Sequence, residues 1–108
     1  MSRKILFVCS RNRLRSPTAE QVFSMREDLE TASAGLGRDA EVPLSAELVE
    51  WADMIFVMEK IHLAKLRGKF KAQLRDDQRV VCLDIPDDYG YMDSALVTLL
   101  QDKLGRYL

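Results

Sequence analysis

Cys9 and Arg15 stand six residues apart in the segment "ILFVCSRNRLRSPTAEQVF", with Arg11 and Arg13 between them and Ser16-Pro17 directly after. These residue types suit the handling of a phosphoryl group. A cysteine thiolate is a strong nucleophile, and thiols at helix N-termini or beside arginines ionise readily. An arginine presents a planar fork that matches two oxygens of a phosphate. Ser16 can donate a hydrogen bond to the sulfur. Converging loop amides and a helix start would complete an anion site. Taken alone, Cys9 reads better as a small apolar residue ending a buried strand. The full spacing, a cysteine, five residues and then Arg15-Ser16-Pro17 at a strand–helix junction, favours the chemical reading.

The elements that must position these groups can be read from hydrophobic pattern. Four short apolar runs suggest strands, at residues 5–8, 31–34, 54–58 and 80–83. The first, third and fourth are nearly continuous in apolar residues, as strands buried on both faces are. The second is weak, with small residues and Gly35 at its end. Helical segments lie between. Ser16 as cap and Pro17 at the first helical position open one, with Ala19, Val22, Phe23 and Met25 at helical spacing. Residues 44–52 follow Pro43 and carry Leu48 and Trp51. Ile61, Leu63, Leu66 and Phe70 mark a third helix, broken near Gly68. Asp93 caps a last one, along which Leu96, Val97, Leu100, Leu104 and Leu108 recur. This alternation predicts an α/β fold, a doubly wound four-stranded parallel sheet in the order 2-1-3-4 with helices on both faces. Ligands of such sheets bind beyond the carboxyl ends of the strands. Cys9 lies at that end of the first strand, and the acidic stretch "DIPDDYGYMD" at that end of the fourth.

Bulk properties narrow the function classes. At 108 residues the chain has the length for one domain with one core. Its 16 basic and 17 acidic residues give a net charge of -1, so charge alone implies no general affinity for nucleic acid or membrane surfaces. The apolar run in "MSRKILFVC" is too short for a signal peptide, and no stretch approaches a membrane span. Two cysteines without ligand-like spacing indicate neither a disulfide framework nor a zinc site. A cytoplasmic protein with no membrane or metal partner is the expectation.

The segment "CSRNRLRSP" resembles the signature of the low-molecular-weight protein tyrosine phosphatases, a Cys-x5-Arg-Ser loop followed by Pro. Asn12 falls where that family keeps a loop-organising asparagine. The resemblance continues in "SAG" at residues 33–35, in "WADMIFVME" over the third strand, and in "IPDDYG", similar to the late Asp-Pro loop that carries the general acid. The matches fall in order over most of the chain. The departures are a shorter chain, Arg11 for the loop's usual glycine, Leu14 for its usual second cysteine, and Asp88 where the proline of the Asp-Pro pair would stand.

The resemblance implies one phosphatase-like domain over residues 1–108 that needs no metal or cofactor. Cys9 would attack phosphorus, and the loop of Ser10, Arg11, Asn12, Arg13, Leu14, Arg15 and Ser16 would hold the phosphate. An aspartic acid would protonate the leaving oxygen and then activate water. Asp87 aligns best with that role, with Asp84 and Asp88 as alternatives. Tyr89 or Tyr91 would flank the substrate slot, unless they are merely half-exposed loop residues. The substrate would be a phosphoprotein or a small or nucleotide phosphate.

Other residues read more simply. His62, the one histidine, suits a structural or cap-bonding role on its helix, and Trp51 suits packing against the sheet. Cys82 raises the alternative of an arsenate reductase-like relay, which needs two further cysteines. It is also two strand spacings, about 10 Å, from Cys9, beyond the roughly 7 Å that a disulfide spans between Cα atoms. A non-catalytic phosphate-binding module is the second class of function, but mere binding would not need Cys9. Arg11 and Arg13 would ring the loop and draw extra negative charge, as on an acidic peptide, a nucleotide or an RNA end. Alternatively they pair with Asp87, Asp88 or other carboxylates across the cleft.

Overall fold

A computed structural model describes residues 2–108. In chain order the elements are β1 (Arg3–Cys9), α1 (Arg15–Phe23), β2 (Leu29–Gly35), α2 (Ala46–Trp51), β3 (Met54–Val57), α3 (Lys60–Lys69), β4 (Arg79–Cys82) and α4 (Ser94–Leu104). The four strands form one parallel sheet in the order β2-β1-β3-β4. Cys9 pairs with Gly35, Val8 with Val57, and Val57 with Cys82, so one edge of the sheet collects every strand's carboxyl end. This is the architecture expected from the alternation of apolar runs.

Side chains of a strand alternate between faces, and both faces are covered here. Ile5, Phe7 and Cys9 pack with Ala19 and Phe23 of α1 and with Leu96, Leu100 and Leu104 of α4. Leu6 and Val8 pack with Val49 of α2 and Leu66 of α3, and Trp51 lies half-buried against that cluster. β1 and β3 are central, which explains their unbroken apolar runs. The Phe7 ring stacks between Phe23 and Phe56, with centroids 6.1 Å and 5.7 Å away. This packing fixes the junction between β1 and α1.

Four local expectations need correction. α1 begins at Arg15, with Leu14 rather than Ser16 in the cap position. Ser16 is drawn inside the first turn because its hydroxyl faces Cys9. Pro17 still sits among the first helical residues, whose N–H groups have no intrahelical acceptor, so its missing donor costs nothing there. Met25 lies beyond the helix end and is exposed. β2 is longer than its apolar content suggests, because pairing from Arg3↔Leu29 to Cys9↔Gly35 is set by the β1 backbone rather than by side-chain burial. α3 runs unbroken through Gly68, an exposed helical glycine, since a single glycine weakens a helix by only about 1 kcal/mol. Asp93 does cap α4, accepting a hydrogen bond from the Ala95 N–H at 2.9 Å.

Candidate active site

The chain from Ser10 to Leu14 forms a loop between the end of β1 and the start of α1. Its shape depends on Asn12, which adopts the left-handed conformation (φ 57°). Asparagine tolerates this region better than most residues. The Asn12 side chain is buried, its Oδ1 accepting from the Val42 N–H at 3.1 Å and its Nδ2 donating to Ser16 Oγ at 3.0 Å. Ser16 Oγ also bonds Cys9 Sγ at 2.9 Å, where either atom can donate, and its hydroxyl donates to the Ala34 carbonyl at 3.5 Å. The Asn12 N–H also points at that sulfur, at 3.2 Å. The Asn12 N–H and the Ser16 hydroxyl thus both meet a buried thiol.

The loop's carbonyls face the other way. The oxygens of Cys9, Ser10 and Arg11 accept from the N–H groups of Leu36 (3.0 Å), Gly37 (2.7 Å) and Glu41 (3.0 Å). The β2–α2 connection therefore holds the outside of the loop. The contact is close enough to exclude a side chain. A Cβ on Gly35 would lie 2.6 Å from the Ser10 oxygen and 3.0 Å from the Asn12 nitrogen, and one on Gly37 would lie 2.9 Å from the Ser10 oxygen.

Arg15 is 3% exposed. Its Nη1 donates to Glu59 Oε2 at 2.6 Å and to the Ile85 carbonyl at 2.7 Å, and its Nε lies 3.7 Å from Asp87 Oδ1. Sequence reasoning did not single out Glu59. The available signal was its place, the acid just beyond the carboxyl end of the third strand. Cys9, Ser10, Arg11, Arg13, Leu14, Arg15 and Asp87 together border a single open cleft.

No family model matches the chain, and no curated protein sequence matches it. Solved structures do. A low-molecular-weight protein tyrosine phosphatase from T. tengcongensis superposes with a TM-score of 0.77 at 23% identity, over 99% of this chain and 100% of that one. The YwlE arginine phosphatase from Geobacillus stearothermophilus gives 0.75 at 23% identity, over 96% and 91%. A YwlE mutant from Bacillus subtilis gives 0.71 at 26% identity, over 97% of both. The chain has the fold of the low-molecular-weight protein tyrosine phosphatases.

Within this phosphatase fold the remaining candidates separate. Asp84, also in the left-handed region (φ 54°), lies 3.7 Å from the Cys82 sulfur and borders other surface hollows, not the Cys9 cleft. Asp88 is exposed and forms no ion pair among the described residues. Tyr89 packs half-buried against the α1–α4 face, Tyr91 is exposed, and neither borders the cleft. Arg11 and Arg13 pair with Asp39 (3.7 Å) and Glu41 (3.1 Å), not with Asp87 or Asp88. Cys82 lies half-buried on β4, with β3 between it and β1.

His62 does more than its sequence position suggests. It is fully buried, and its Nδ1 accepts from the Glu59 N–H at 3.1 Å, in a capping box at the start of α3. That leaves the ring proton on Nε2, which faces Ser10 Oγ at 2.9 Å. In this tautomer His62 donates to Ser10 and cannot serve as its base. Burial, and then the charge of Arg15, lower its pKa from 6.5 to about 4.

Two outcomes follow from this geometry. In Gly35→Ala the added methyl displaces the Ser10–Asn12 backbone. A displacement of about 1 Å at such a site costs about 10²-fold. Calorimetric titration with inorganic phosphate should show affinity falling by about that factor, with far-UV circular dichroism unchanged.

The second outcome concerns pH. As pH falls below 6.5 the unfolded chain takes up the His62 proton first, because the folded pKa is about 4. The stability from neutral His62 is therefore complete above pH 6.5 and is lost as pH falls toward 4. The melting temperature should decline over that window, and His62→Gln, which cannot titrate, should flatten the decline. An equal slope in both proteins would remove His62 from the account.

Proposed function

We propose that the chain is a phosphomonoester hydrolase, a cysteine-dependent phosphatase of one domain acting through a phosphocysteine intermediate. The observation that carries this reading is the Cys9 sulfur, met by the Asn12 N–H and the Ser16 hydroxyl, in one cleft with Arg15 and Asp87. The Cys9 thiolate attacks phosphorus, forming an S–P bond as the bond to the leaving oxygen breaks. Asp87 gives that oxygen its proton. The amides of the 10–16 loop and the Arg15 fork hold the remaining phosphoryl oxygens as charge redistributes. Glu59 and the Ile85 carbonyl engage Arg15 through Nη1, while Nε faces Asp87 at 3.7 Å and Nη2 is left for substrate. The Asp87 carboxylate then takes a proton from water. The water oxygen attacks phosphorus, the S–P bond breaks, and phosphate and the thiolate are released. Every group in these steps is supplied by the chain, so no cofactor takes part.

Asp87 is preferred over Asp84 and Asp88 because it alone of the three borders the cleft. The alternative is a phosphate-binding module without turnover. The hydrogen bonds that Cys9 makes with Ser16 and Asn12 favour turnover, since binding alone needs no thiolate. An arsenate reductase-like relay is disfavoured by the position of Cys82. A nucleophile that must stay a free thiol suits a reducing compartment such as the cytoplasm. Tyrosine and arginine phosphatases both occur among the similar structures, so substrate choice rests on the rim of the cleft rather than on the fold.

Hydrolysis of para-nitrophenyl phosphate tests the reading. Cys9→Ser should abolish turnover while phosphate binding survives, because a serine hydroxyl stays protonated where the thiol ionises. Unchanged activity in that variant would refute the mechanism. Asp87→Asn should lower kcat by about 10²–10⁴-fold on esters with poor leaving groups and by less on para-nitrophenyl phosphate. Asp84→Asn should do far less, and the reverse order would reassign the acid.

A further inference from the structure

We propose that Arg11 and Arg13 form a second anion-reading site at the mouth of the cleft, and that the substrate is a phosphorylated peptide with acidic residues beside the phosphorylated one. This rests on the phosphatase reading above and specifies its substrate.

Both arginines border the cleft that contains Cys9. Each approaches its carboxylate through Nε, Arg11 at 3.7 Å from Asp39 and Arg13 at 3.1 Å from Glu41. Among the described residues no second carboxylate pairs with either guanidinium. The side chains are 66% and 48% exposed, so both guanidinium groups remain accessible from solvent. Asp39 and Glu41 hold the two side chains at the mouth of the cleft while leaving them exposed.

A peptide fits this rim better than a nucleic acid does. Asp39 and Glu41 are alternate residues of a segment bonded along the loop, with the Glu41 N–H on the Arg11 carbonyl at 3.0 Å. The chain itself thus shows that the spacing of Arg11 and Arg13 accepts carboxylates two residues apart on a peptide. Apolar recognition is correspondingly poor. Among the described residues, Leu14 is the one apolar residue besides Cys9 bordering the cleft, and no aromatic residue borders it. Selection by charge is left to the arginines. Because both are exposed, the effect is screened by salt.

Two phosphotyrosine peptides that differ only in glutamate or glutamine flanks would test this, alongside a 5′-phosphorylated oligonucleotide. The wild-type protein and Arg11→Gln/Arg13→Gln are compared by kcat/KM at low and high salt. Dissociation constants for the same ligands are measured with Cys9→Ser and with Cys9→Ser/Arg11→Gln/Arg13→Gln. The expected result is a preference of about tenfold for the glutamate peptide at low salt, smaller at high salt and absent without the arginines. The ratio of the two peptides cancels any general damage to the loop, and single arginine variants replace the double one should it misfold. Equal use of the peptides by the wild type, a preference that survives the substitutions, or a better oligonucleotide substrate would overturn the proposal. A wild-type protein that hydrolyses nothing would instead sink the phosphatase reading. The dissociation constants would still decide the rim.

Discussion

The site depends on three carbonyl oxygens being held outward. A loop of five residues between a strand and a helix has no ladder of its own, and its amides turn inward only if its oxygens find donors elsewhere. Leu36, Gly37 and Glu41 supply them from the β2–α2 connection. This places a demand on β2, an otherwise weak strand of small and polar residues. It must end level with Cys9 and must carry no side chain at Gly35. The modest apolar content of residues 31–34 is the mark of a strand that serves the neighbouring loop as well as the core.

Around that frame the polar groups are assigned with little redundancy. Asn12 ties Val42 to Ser16, Ser16 bonds Cys9, and Glu59 and Ile85 anchor Arg15 from behind. None of the buried side-chain nitrogens or oxygens described lacks a partner. A network satisfied in this way holds a single geometry, which is what the proposed chemistry, aligning a sulfur, a phosphorus atom and a leaving oxygen, requires.

Much of the fold was legible in the sequence because central strands buried on both faces leave unbroken apolar runs, as β1 and β3 do. The strand order followed from topology. The residues now bordering one cleft, Cys9, Arg15 and Asp87, came from spacing and resemblance. Other features left no comparable trace. The start of α1 is decided by Ser16 turning toward a sulfur, which no cap preference encodes. The pairing of Glu59 with Arg15 spans 44 positions, and that of His62 with Ser10 spans 52. Both are made by the parallel sheet bringing strand ends together. The tyrosines at 89 and 91 show the converse, a loop whose order along the chain resembles a family pattern while its side chains point elsewhere.

Glu59 has two roles that cannot be separated. Its side chain accepts the His62 N–H to cap α3, and it also grips Arg15, while His62 itself reaches Ser10. The first turn of α3 and the anion cradle therefore share their fastenings. Proteins open locally in contiguous cooperative units. Here, fraying of that one helical turn would release the arginine and the loop together, so the reactive centre keeps its order only as long as the beginning of α3 stays wound.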